Sequence, residues 1–168
     1  MIPMNITSLY QNKNNFFILF IAVFILFIMI YFMAGSLGML AYFVWPALLF
    51  LMFFSGIVYG FVTKDKFKAA LLGILFSAVL GLLYISTASL LFDSTREYPE
   101  YYYLQLSYLF SYVSAGILLA IASVFASSNE PHLSRRICYY LAVGVLLVAA
   151  FYLFITQPSS LVLSFFGL

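Results

Sequence analysis

The side chains best suited to chemistry are few, and they stand at the edges of apolar runs. His132 and Cys138 lie close together in the sequence, with Glu130, Arg135 and Arg136 around them. Imidazole and thiolate can share a transition metal, but such a site takes three or four ligands. No C-x-x-C or H-x-x-x-H spacing supplies the others. A cysteine nucleophile activated by histidine also needs a third group to orient the base and a pocket for substrate, and the sequence marks neither. The simpler reading makes Arg135 and Arg136 anchors against anionic lipid headgroups.

Carboxylate chemistry is the second possibility. Three of the five acids fall in Asp93-Ser-Thr-Arg-Glu-Tyr-Pro-Glu100. Paired carboxylates divide acid and base roles only where their surroundings push their pKa values apart. Nothing in the sequence buries these, and no histidine is near. A solvated turn closed by Pro99 is expected instead. Tyr98, Tyr101, Tyr102 and Tyr103 follow, a cluster suited to an aromatic belt at a membrane surface. The expectation is therefore no catalytic residue, no metal and no cofactor. The net charge of +2 carries no dense basic run, so nucleic acid is not expected as a partner.

The elements that must position these groups are set by composition. The chain of 168 residues is 66% hydrophobic and only 7% charged, with a mean hydropathy of +1.14. A water-soluble domain is about a quarter charged, so lipid must cover much of this surface. A hydrocarbon core of about 30 Å takes about 20 mainly apolar helical residues. Five segments meet that need: 16–33, 46–62, 69–92, 103–126 and 137–156. The polar breaks between them are too short for a core of their own, which predicts one all-α membrane domain over 1–168.

Two points within this scheme concern ends. Lys13 and the small residues Ala34-Gly35-Ser36 flank the first run as in a signal peptide, but the run is longer than the usual signal core. Retention as a transmembrane anchor is the better reading. In the second segment, a start near Pro46 would cost nothing, since the first helical turn has no use for its missing N–H, and Trp45 would sit at headgroup depth. A start at Met39 would make Pro46 a kink. The first is favoured. The tail from Gln157 to Leu168 is too short to cross and is expected at the interface or on the bundle.

Charge sets orientation. Lys13, the group Lys64, Lys66 and Lys68, and the pair Arg135 and Arg136 all fall on one side if five segments cross. Only Arg96 falls opposite. The positive-inside tendency then predicts a cytoplasmic N-terminus and an outside C-terminus.

Lipid tails are as apolar as leucine, so close backbone approach and hydrogen bonds must hold such helices together. Segment two offers Gly56 and Gly60, a G-x-x-x-G pair. Segment three offers Ala69, Gly73, Ser77 and Gly81 as one stripe. A short link makes the two segments antiparallel neighbours, which predicts a tight hairpin with these stripes near the contact, or a stripe facing another protomer. Ser107, Ser111 and Ser114 make one face of segment four mildly polar, with Gln105 beyond it. Ser86, Thr87 and Ser89 do the same for segment three. Either these line a polar cleft between the two segments, or they bond back to their own helix carbonyls and permit close packing.

No Asp, Glu, Lys, Arg or His falls inside the five segments, which counts against a proton-coupled transporter. Segments two and three do not match four and five, so an inverted repeat is not supported. The functional expectation is a small, non-enzymatic multi-pass protein of the cell membrane. Its partners would be the lipid bilayer and, through helix contacts, itself or other membrane-protein subunits. A permease or channel component for a neutral or weakly polar solute, lined by the Ser/Thr faces of segments three and four, is the alternative.

Overall fold

A computed structural model describes the backbone of residues 6–37, 39–92 and 99–156, and within these the side chains of 13–33, 44, 46–86 and 107–156. The described chain is all-helical: α1 (Ile6–Leu37), α2 (Met39–Thr63), α3 (Lys66–Phe92), α4 (Pro99–Ala126) and α5 (Leu133–Thr156). All five are long and apolar enough to cross a membrane. Each helix also begins before its apolar run. Backbone groups near a bilayer must be paired within their own segment, and polar residues such as Lys66 and Lys68 continue that pairing past the hydrocarbon.

Pro46 corrects the favoured reading of the second segment. α2 begins at Met39, and Pro46 lies inside it. Proline removes one donor from the helical ladder. The residues before it, Met-Leu-Ala-Tyr-Phe-Val-Trp, offer no polar cap, and in an apolar setting a helix with one missing bond costs less than seven unpaired residues. The side chain of Trp45 and the tail 157–168 lie outside the described residues.

The link between α2 and α3 is two residues long, and each has a defined task. Lys64 takes a positive φ of 58° and donates its backbone N–H to the Gly60 carbonyl at 3.0 Å, ending α2 in a left-handed cap. Asp65 then caps α3: its side chain accepts from the Lys68 N–H at 3.2 Å, and its carbonyl accepts from the Ala69 N–H at 3.0 Å. The Asp65 N–H donates to Thr63 Oγ1 at 3.3 Å. This reversal makes α2 and α3 antiparallel.

α2, α3 and α4 form the centre. About half of each of their apolar windows is buried, against 17% for α1 and 11% for α5. α1 lies against α2 and touches α3, whereas α5 lies along α4. The core is mainly aromatic and branched, with Phe24, Phe27, Met52, Tyr59, Leu72, Phe76 and Leu119 almost fully enclosed.

Candidate functional site

Among the described residues, polar contacts between helices concentrate at one end of the bundle. Lys68 Nζ donates to Asn14 Oδ1 at 2.6 Å, tying α3 to α1, and stands 4.0 Å from Asp65 Oδ2. Lys64 Nζ donates to the Ala126 carbonyl at 3.2 Å. A cation there meets the negative end of α4's dipole as well as one of its unpaired carbonyls. Both amines also lie over phenyl rings, Lys64 over Phe61 and Lys68 over Phe17. Beneath them Tyr59 is fully buried, ringed by Phe16, Phe17 and Phe20 at centroid distances of 6.1, 5.7 and 6.3 Å. Its hydroxyl makes a long 3.5 Å contact to the Lys13 carbonyl. Lys13, the α2–α3 link and the end of α4 therefore share one end of the molecule. Arg135 and Arg136 follow in the first turn of α5.

Small residues then close the space between α2, α3 and α4. A methyl group on Gly56 would lie 2.7 Å from the Ala69 carbonyl and 3.1 Å from the Gly73 nitrogen. One on Gly60 would lie 2.7 Å from the Ser123 carbonyl, beside the side chains of Ala69 and Ser127. One on Gly73 would lie 2.6 Å from the backbone nitrogen of Ala120. Gly116 is pressed against Ser77, and Gly81 faces Leu109 at an ordinary 3.4 Å. The stripe of α3 thus meets α2 through Ala69 and Gly73, but along most of its length it meets α4. The matching set on α4 is Gly116, Ala120, Ser123 and Ser127, which the sequence reading did not single out.

The hydroxyls inside the bundle mostly bond within their own helices. Ser111 donates to the Ser107 carbonyl, Ser123 to Leu119, Ser77 to Ile74, Ser55 to Met52 and Thr63 to Tyr59, all between 2.7 and 2.9 Å. Ser107 and Ser111 are buried, while Ser114 is half-exposed. Ser86 turns back to the Leu83 carbonyl. The side chains of Thr87, Ser89 and Gln105 lie outside the described residues.

At the end away from the lysines the packing opens. Residues from all five helices, Tyr31, Leu49, Leu80, Leu83, Tyr84, Tyr112 and Phe154, line a cavity of about 180 Å³. Its aromatic wall is continuous: Tyr84 lies 5.3 Å from Tyr108 and 5.9 Å from Tyr112, and Tyr112 lies 6.0 Å from Phe154. Phe154 also reaches Phe53 and Phe76, which joins the far half of α5 to the core.

The groups first considered for chemistry do not converge. Glu130 is half-buried, whereas His132, Arg135, Arg136 and Cys138 are exposed, and Cys138 is a free thiol. Among the described residues no three metal-binding side chains come together. The acidic stretch Asp93 to Glu100 and the tyrosines Tyr98 to Tyr103 have side chains outside the described residues.

No protein-family model, curated protein or solved structure matches this chain.

Proposed function

We propose that the protein is a multi-pass component of the cell membrane that acts without catalysis, through helix contacts with itself or with a larger membrane assembly. Its N-terminus faces the cytoplasm and its C-terminus the outside. Two arginines in the first turn of α5 support that orientation. Cations at a helix N-terminus oppose the dipole by about 0.3–1 kcal/mol, so an attraction beyond the helix must offset that cost. An anionic inner leaflet supplies one.

The observation that carries the reading is the division of labour among small residues. Gly56, Gly60, Ala69, Gly73 and Ser77 are spent inside the α2–α3–α4 core. Gly144 is not: a methyl group there would meet nothing within 4 Å. It shares an outward face of α5 with Leu141, Val145 and Val148, each about two-thirds exposed. A small residue within an apolar face is where a neighbouring helix backbone can come close.

A solute path along the serines of α3 and α4 would require Ser77 to part from Gly116, and the buried serines already bond their own carbonyls. Cysteine placed at Val145 in a Cys138→Ser background tests the contact reading. Crosslinks to a second copy or to a larger partner in native membranes support it. A lone monomer in mild detergent with no crosslink in membranes overturns it. Flux into liposomes that Ser111→Leu abolishes would establish the solute path in its place.

A further inference from the structure

We propose that the cavity formed by all five helices binds an uncharged, single-ring molecule bearing one hydrogen-bonding oxygen, of the size of phenol. Three features define that ligand.

Size is the first. An enclosed apolar cavity of about 150 Å³ accepts a benzene ring. The cavity here, about 180 Å³ and open on one side, has the size for a ring with one substituent. Shape is the second. Tyr84, Tyr112 and Phe154 present aromatic surface along one wall, while Leu49, Leu80 and Leu83 supply the rest of the lining, a combination that suits a flat apolar body.

Polarity is the third. Tyrosines come from three different helices, α1, α3 and α4. Among the described residues no hydrogen bond from the hydroxyls of Tyr31 or Tyr112 to a protein group is found, and the two tyrosines influence each other electrostatically. A partly buried hydroxyl gains from a partner, and a ligand oxygen can serve both. Among the described residues no carboxylate, amine or guanidinium lines the cavity, which suits a ligand without charge.

Position fits the same chemistry. Tyr84 lies about 27 Å along α3 from Lys66 at the standard rise, near the opposite surface of a bilayer. Small amphipathic ring compounds gather at that depth, as tyrosine and tryptophan side chains do. Toward the lysines the space closes where Ser77 meets Gly116 and Gly73 meets Ala120. The cavity is therefore closed toward the lysine end, which argues against a conduit through the bundle.

The probe is 4-fluorophenol, titrated into the full-length protein in nanodiscs and followed by fluorine NMR. Protein-free nanodiscs give the lipid-partitioning reference. The expected result is a saturable signal that unlabelled phenol displaces. Tyr112→Phe and Tyr31→Phe should each weaken binding by about threefold to tenfold, the effect of one hydrogen bond. Fluorobenzene should bind the parent protein more weakly and be indifferent to both changes. Leu83→Trp, which fills the space, should abolish the signal; Leu80→Phe is the milder filling variant should Leu83→Trp fail to fold. The proposal is overturned by uptake no greater than in protein-free nanodiscs, or by binding that survives both filling variants. Equal affinity for fluorobenzene and fluorophenol overturns it too, by marking a dry space for lipid chain ends.

Discussion

Lys68 Nζ lies 2.6 Å from Asn14 Oδ1, a short charge-assisted bond between helices far apart in the chain. It occurs where the α2–α3 reversal is tightest, and Lys68 also serves that reversal by donating its backbone N–H to Asp65. One residue thus supplies the N–H that Asp65 caps and fastens α1.

Removing either partner should loosen α1 without dissolving the core. Lys68→Met and Asn14→Ala are each expected to cost about 1.5–3 kcal/mol, as a hydrogen bond to a charged group is worth about that. The double variant should cost little more than Lys68→Met alone, because Asn14→Ala removes a contact that Lys68→Met has already removed. Denaturation in mixed detergent micelles measures this. Strict additivity would show that the bond contributes nothing.

Glycines should divide by neighbour and not by sequence spacing. Gly73→Ala forces a methyl group onto the Ala120 backbone, which cannot swing aside, and should cost about 1–3 kcal/mol. Gly144→Ala meets open space and should be neutral or stabilising by up to about 1 kcal/mol, from helix propensity. The same assay compares them, and equal losses at the two sites would contradict the packing described.

Lys64 carries two opposed effects. Its left-handed backbone costs about 1–2 kcal/mol for a residue with a β-carbon, while its amine satisfies the Ala126 carbonyl. Lys64→Ala keeps the strain and loses the bond, and should destabilise by about 1 kcal/mol. Lys64→Gly loses the bond and relieves the strain, and should lie near the parent. A glycine variant less stable than the alanine one would refute this division.

On the proposed topology Lys13, the α2–α3 link and the start of α5 face the cytoplasm. Cys138, exposed in the first turns of α5, should react with a thiol reagent from the cytoplasmic side only. Labelling of intact cells by an impermeant maleimide would reverse the proposed orientation.

The helices were legible because span length follows from apolar run length, and the polar breaks are unambiguous. Their true starts were less so: hydropathy marks the hydrocarbon, whereas α1 begins at Ile6 and α2 at Met39, where nothing compels the backbone to stop. The stripes on α2 and α3 were readable as close-packing faces, but a stripe does not say which helix it meets. Gly73 meets Ala120, and Ser77 meets Gly116, contacts between segments that only folding makes adjacent. The α4 set was visible in principle, since Gly116, Ala120, Ser123 and Ser127 recur at helical spacing. Attention to Ser107, Ser111 and Ser114 as a polar face obscured it. The tyrosine-lined cavity had no linear signal at all, for its seven residues come from five helices.

The bond between Asn14 and Lys68 also imposes an order on synthesis. α1 leaves the ribosome before α2 and α3, the helices it packs against, exist, and its own apolarity must serve it until they follow. Its hydropathy of 3.1, the highest of the five against 1.9–2.3 for the others, is what such a waiting period demands.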